Sequence, residues 1–127
     1  MKNIKYFTLL MLVSLALACK PTTFKTLSIE EFTVLVNDTE TQVLDVRTIE
    51  EYNEGHLLRA KFIDVKDSLF ETKALSVLDK NKPVAVYCRT GKRSKIASDK
   101  LVKLGYHVSE LDSGYTKWVK SDLPIEK

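Results

Sequence analysis

Short apolar runs of strand length alternate with capped, amphipathic segments along this chain, and that rhythm leaves few folds open. The runs span residues 42–46, 61–65, 83–87 and 108–111, with a weaker one at 24–27. Between them, three hydroxyl residues are each followed three places later by a glutamate: Ser28 with Glu31, Thr48 with Glu51, and Ser68 with Glu71. Each pair predicts a capping box, in which hydroxyl and carboxylate satisfy amides that the start of a helix leaves without partners. Leu27 and Phe32 are spaced to staple the first helix, which puts Ile29, Phe32, Leu35 and Val36 on one face. A further helix is predicted over 94–104, with Ile96, Ala97, Leu101 and Leu104 inward and Gly105 as its stop. A last, short one holds Tyr115, Trp118 and Val119 at i, i+3 and i+4 and ends before Pro124. The alternation predicts an α/β fold: a mainly parallel sheet with helices on both faces, whose sites form beyond the carboxyl ends of the strands.

With 127 residues, 44% of them apolar, the chain has room for one domain with a real core and not for two. A formal charge of +3, two units of it from Lys2 and Lys5, leaves the remainder near neutral and gives nucleic acid binding no support. Those two lysines precede an apolar run from Tyr6 to Ala18, the layout of a secretory signal peptide over 1–18. The run is short of the roughly 20 residues that a spanning helix needs. Leu15-Ala16-Leu17-Ala18-Cys19 resembles a bacterial lipobox, which predicts cleavage before Cys19 and acylation of its thiol. Ordinary cleavage after Ala18, with Cys19 incidental, is the alternative. Residues 19–23 then form a lipidated N-terminus with a tether of about 13 Å, at ~3.3 Å per residue. The domain proper spans 24–127, exported and held at a bacterial membrane, facing the periplasm.

Cys19 and Cys88 are the two cysteines of the chain, and an acylated Cys19 leaves Cys88 a solitary thiol. A disulfide between the two is the other possibility. The strand at 83–87 delivers its carboxyl end directly to Cys88-Arg89-Thr90-Gly91-Lys92-Arg93, and a helix follows at about Ser94. Strand, tight loop and helix start aim backbone amides, and a dipole end worth roughly +0.5 charge, at one point. A free thiol is only ~3% ionised at pH 7, so a useful nucleophile needs its pKa lowered. Arg89, Lys92 and Arg93 supply three cations, Gly91 supplies backbone freedom, and together they predict a depressed Cys88 and a bound anion. A buried, inert cysteine followed by a solvated basic stretch is the plain alternative. Cations at a helix start are unfavourable without an anion to offset them, which argues against it.

Three stretches in order carry a family resemblance. Leu44-Asp45-Val46-Arg47, followed by Glu51, Tyr52, Gly55 and His56, is similar to the early signature of the rhodanese domain. Tyr87 to Ser94 resembles its active-site loop, and Leu111-Asp112-Ser113-Gly114-Tyr115, with Lys117, Trp118 and then Leu123-Pro124-Ile125, its late signature. The resemblance implies five parallel strands flanked by helices and a sulfurtransferase reaction. In it, Cys88 takes a sulfane sulfur from a small anionic donor such as thiosulfate, holds it as a persulfide, and passes it to cyanide, a thiol or a protein acceptor. Arg89, Thr90, Gly91, Lys92 and Arg93 would bind the substrate, and no cofactor is implied. Leu58-Arg59 stands where the family often has Pro and Gly, and Ser113 replaces the first glycine of a common pair.

Other residues have quieter readings. Asp45 and Arg47 are expected to support the loop as an internal ion pair, His56 to be a hydrogen-bonded turn residue, His107 to lie on the surface, and Trp118 and Tyr115 to anchor the core. No Cys or His cluster has metal-ligand spacing. Phosphatases and arsenate reductases of related fold also set a cysteine in an anion-binding loop, with five residues between Cys and Arg. Here four separate Cys88 from Arg93, a smaller ring that suits a single sulfur atom. A relay or anion-binding module that acts only on a partner protein is the remaining competitor.

Overall fold

The computed structural model describes residues 20–127, so the predicted signal peptide and Cys19 lie outside the described residues. Among the described residues twelve elements follow in order: β1 (Lys25–Leu27), α1 (Ile29–Asn37), β2 (Gln42–Asp45), α2 (Ile49–Glu54), β3 (His56–Leu57), β4 (Lys61–Phe62), α3 (Phe70–Val77), β5 (Val84–Tyr87), α4 (Lys92–Lys103), β6 (Val108–Leu111), α5 (Gly114–Lys120) and β7 (Ile125–Glu126). Two of the three predicted capping boxes start helices as drawn. Ser28 Oγ accepts from the Glu31 amide at 3.2 Å and Thr48 Oγ1 from the Glu51 amide at 3.2 Å, while each glutamate accepts from the cap amide in return. The third does not form. Asp67 closes the turn instead, its Oδ1 accepting from the Leu69 amide at 2.8 Å, and α3 starts at Phe70 with Leu69 as an uncapped first residue. A carboxylate is a stronger acceptor than the Ser68 hydroxyl, and the Lys73 ammonium fixes it by an ion pair.

The five main strands pair in the order β1-β6-β5-β2-β4, every pair parallel. β2 and β5 lie inside and are buried at every position, because helices cover both faces. On one face Leu44, Val84 and Val86 pack with Phe70 of α3 and Ala97 and Leu101 of α4. On the other, Val43, Ala85 and Tyr87 pack with Phe32 of α1 and Trp118 of α5, whose rings meet edge to face at 6.3 Å. The alternation read from the sequence thus gives the predicted α/β sheet.

Local departures have local causes. The run at 61–65 yields only a two-residue strand, after which the Ile63 and Val65 amides still reach the Asp45 and Val46 carbonyls at 3.1 and 3.2 Å. α4 begins at Lys92, two residues ahead of the predicted start, and its core face is drawn by Ala97, Ser98 and Leu101. Ile96 falls outside that face and is half exposed, as is Val119 on α5. A small antiparallel pair, β3 with β7, ties the chain end to His56 and Leu57. Neither strand is long enough to show a two-residue period in sequence. At the Leu58-Arg59 turn, Arg59 takes φ +64°, a left-handed backbone rarely held by a side chain of this size.

Under the carboxyl ends of β2 and β5 lies a buried polar knot. Asp45 accepts from the Arg47 amide at 2.9 Å, from Arg47 Nη2 at 2.7 Å and from Tyr87 Oη at 2.7 Å. Arg47 Nη2 also donates to the Gly55 carbonyl at 2.6 Å, and the Leu57 amide donates to Tyr87 Oη at 3.1 Å. The expected internal ion pair is therefore real, and it ties the ends of β2 and β5 to Gly55 and to β3. Losing one partner of such a pair costs about 3–5 kcal/mol, since the other charge stays buried and uncompensated.

Candidate active site

β5 ends at Tyr87, and the next residue, Cys88, stands at the carboxyl edge of the sheet where α/β sites form. From there the chain turns through Gly91 at φ +103° into α4. Gly91 has no substitute at this point, because a Cβ would sit 2.0 Å from the Asp112 carbonyl oxygen besides occupying a left-handed backbone. The loop is pressed from outside by the start of α5. The Tyr115 amide donates to the Cys88 carbonyl at 2.8 Å and the Thr116 amide to the Arg89 carbonyl at 3.1 Å. Gly114 makes that approach possible, since a Cβ there would lie 2.4 Å from the Arg89 oxygen.

Inside the turn sits the sulfur. The Gly91 amide donates to Cys88 Sγ at 3.1 Å, and Ser94 Oγ lies 3.5 Å away. Burial pushes the thiol pKa up and is the largest single influence, for Cys88 is only 1% exposed. The Ser94 hydroxyl and the amides of Ser94, Gly91 and Thr90 together outweigh it and hold the thiol below its ordinary value. The sequence reading expected this depression from amide donors and cations together, and the donors lead. Arg89 and Lys92 point to solvent, and Arg93 grips Glu51 through Nη1 to Oε1 at 2.7 Å and Nη2 to Oε2 at 3.1 Å. Arg93 is thus a strut from α4 to α2 whose charge also reaches Cys88, while hydrogen bonds lead in tuning the sulfur.

Beside the loop opens a cleft of about 310 Å³ lined by Arg47, Glu51, Arg89, Tyr115, Thr116 and Lys120 among others. The Arg47 guanidinium lies over the Tyr115 ring, 4.0 Å from its centre, so its charge reaches the cleft wall while its nitrogens serve Asp45. His56 stands apart: its Nδ1 is 2.9 Å from the Tyr52 carbonyl and its ring stacks on Tyr52 at 3.8 Å, hydrogen-bonded as expected but in strand β3 and not in a turn. His107 is exposed, as expected. Sequence reasoning missed three contributors. Ser94 reads from sequence as a helix start and the close of the loop signature, with no role at the sulfur, Gly114 only as part of a signature, and Glu110, fully buried, goes unmarked although a charge inside the apolar run 108–111 is itself a signal.

A parallel sheet carrying one thiol in an amide-lined loop at its carboxyl edge defines a thiol-dependent α/β domain. Comparison with known proteins narrows the class. Residues 28–121 match the model of the rhodanese-like domain, so the chain belongs to the rhodanese-like family. It is 34% identical over 96 residues to thiosulfate sulfurtransferase 18 of Arabidopsis thaliana, covering 66% of this chain and 71% of that protein. It is 39% identical over 88 residues to the tRNA uridine(34) hydroxylase of Pelagibacter ubique, covering 68% of this chain and 29% of that one. Several curated relatives are longer proteins of which the chain spans about half or less. Among solved structures, the rhodanese-like domain of the Anabaena protein Alr3790 superposes with a TM-score of 0.71 at 27% identity, covering 80% of this chain and 77% of that one. Family relatives include transferases, some named for moving sulfur from thiosulfate.

The Glu51–Arg93 strut predicts how stability depends on pH. The hydrogen bonds from Arg93 hold the Glu51 carboxyl down at about 2, against 4.5 when unpaired. A carboxyl lowered by folding stabilises above its unfolded value, and that contribution is lost as pH falls from 4.5 towards 2. Melting temperatures measured across this window should therefore fall more steeply for the wild type than for Glu51→Gln, which is the less stable of the two at neutral pH. Parallel curves would show the strut to be energetically idle.

Proposed function

We propose that the protein is a sulfurtransferase that carries sulfur on Cys88 as a persulfide. The single observation that carries this reading is the Gly91 amide 3.1 Å from Cys88 Sγ, inside a loop with four residues between Cys88 and Arg93. A ring of that size accommodates one added sulfur and is tight for a tetrahedral oxyanion. The Cys88 thiolate attacks the outer sulfur of thiosulfate, the sulfur–sulfur bond of the donor breaks, and sulfite leaves with the bonding pair. The outer sulfur of the persulfide, anionic like the thiolate, rests against the amides of Thr90 and Gly91. Attack by cyanide or a thiolate on that sulfur returns Cys88 as thiolate, so no cofactor enters the cycle.

Arg89 and Lys92, exposed at the loop rim, draw the anionic donor in, with Arg93 contributing charge from its strut and Asp45 with Arg47 holding the floor. A second reading gains support from the 1% exposure of Cys88: the domain accepts and yields sulfur only when docked on a protein partner. Incubation with thiosulfate is expected to add about 32 Da to Cys88, one sulfur on a nucleophilic thiolate. Steady thiocyanate production that vanishes in Cys88→Ser supports the enzyme, whereas stoichiometric persulfide without turnover supports the carrier. Hydrolysis of an aryl phosphate, with no sulfur gained, would contradict both.

The basic and apolar layout of residues 1–18, the lipobox-like Leu15 to Cys19 and the short tether before Phe24 together argue for a protein acylated at Cys19, lipid-anchored and facing the periplasm. Expressed in a bacterial host, the wild type should partition into detergent and Cys19→Ala into the aqueous phase. Equal partition of both into water would remove the anchor.

A further inference from the structure

The mechanism above leaves one buried ionisable group unused. Glu110, in the middle of β6, is 0% exposed, and its Oε1 accepts from Ser94 Oγ at 2.7 Å. Lys95 Nζ lies 3.4 Å from each oxygen but donates only to Oε1, so Oε2 is buried without a hydrogen-bond donor. That ammonium is 45% exposed and divides itself among Glu110, Asp112 at 3.4 Å and the Gly91 carbonyl at 3.2 Å. The strands on either side place Thr26 and Val86 level with Glu110 and bring no further charge. A carboxylate inside the protein is thus left half satisfied, one hydroxyl away from the reactive sulfur.

That hydroxyl has a single proton. A carboxylate only accepts, so the proton lies on the 2.7 Å bond to Glu110 and the lone pairs of Ser94 Oγ face Cys88 Sγ at 3.5 Å. A neutral thiol fits this arrangement, because it can donate to Ser94. A thiolate or persulfide fits only once the Ser94 proton turns from Glu110 to the sulfur, where it stabilises the anion. For Ser94 to donate to sulfur, its proton must leave Glu110, and the carboxylate would then lose its best donor while remaining buried, which is costly unless it is neutralised.

We propose that Glu110 is a positioning residue for the sulfur chemistry, sharing one proton with Cys88 through the Ser94 hydroxyl. As the thiol is consumed, its proton passes to Ser94 Oγ and the proton of Ser94 passes to Glu110. The S–H bond and one O–H bond break, two O–H bonds form, and the products are an anionic sulfur, a hydroxyl now donating to it and a neutral carboxyl. No outside acid or base takes part. Buried carboxyl and buried sulfur are never both charged during the cycle, and the low dielectric of the site makes that exclusion matter. The inference rests on the sulfur-carrying role of Cys88 for its purpose, but its test needs neither thiosulfate nor turnover.

In a Cys19→Ser background Cys88 is the sole thiol, and thiolate absorbance against pH reads its ionisation. Glu110→Gln removes the competing charge and lets the side-chain amide donate to Ser94, freeing the hydroxyl for sulfur. Its midpoint should fall by about one pH unit, a tenfold change in thiolate at fixed pH. With Ser94→Ala also present, the same Glu110→Gln change should move the midpoint by under about a third as much. An unchanged midpoint in Glu110→Gln, or an equal fall with and without Ser94, overturns the proposal, the second by showing a charge acting through space. Should Glu110→Gln fail to fold, infrared difference spectra of the Cys19→Ser protein before and after persulfide formation with polysulfide decide the matter. Loss of the S–H stretch must be matched by a new carboxylic-acid carbonyl band, and its absence contradicts the relay.

Discussion

The site depends on which way two peptide planes face. In a trans peptide the carbonyl and the following amide point in opposite directions. The amides of Tyr115 and Thr116 pull the carbonyls of Cys88 and Arg89 outward at 2.8 and 3.1 Å, which turns the amides of Arg89 and Thr90 inward. The start of α5 therefore builds the interior of a loop that belongs to a different strand–helix unit. Gly114 admits the contact and Gly91 completes the turn, and neither has room for a Cβ. Around Cys88 the outcome is a ring of donors in a buried pocket, where each hydrogen bond to an anion counts for more than it would in water.

The rest of the fold supplies rigidity to that ring. Asp45, Arg47 and Tyr87 bind the ends of β2 and β5 together, and Arg47 extends the link to Gly55 at the end of α2. Arg93 and Glu51 close the same structure from the far side. These pairs bury charge, so their contribution to stability is modest. Their effect is to fix the carboxyl edge of the sheet in one arrangement, with the sulfur at its centre.

Most of the scaffold was legible because it rests on period and punctuation. Short, mainly apolar runs mark β2, β5 and β6, and the boxes at Ser28 and Thr48 mark two helix starts. Ser68 misled because an adjacent Asp67 is the better acceptor, a competition that a three-residue spacing does not reveal. The β3–β7 pair joins residues some seventy positions apart through strands of two residues, and no local pattern encodes it. At the site, the motif placed Cys88 and its loop between strand and helix, where they lie between β5 and α4, but gave Arg93 to the substrate and no role to Ser94 or Glu110. Arg93 is close in sequence yet bound to Glu51, whereas Ser94 and Glu110 matter through a contact across 16 positions that exists only after β6 is laid beside β5.

The central claim is that backbone and hydroxyl donors, more than nearby cations, hold the Cys88 sulfur in its reactive form. The rate of alkylation of the Cys88 peptide by iodoacetamide, followed against pH by mass spectrometry, tests it most directly. Wild type and the Arg89→Gln/Lys92→Gln double variant should share an inflection below about 8.5, the value of an ordinary thiol, and Gly114→Ala should lose it. An inflection at the ordinary value in the wild type, or one restored to it by neutralising the two cations, would contradict the account.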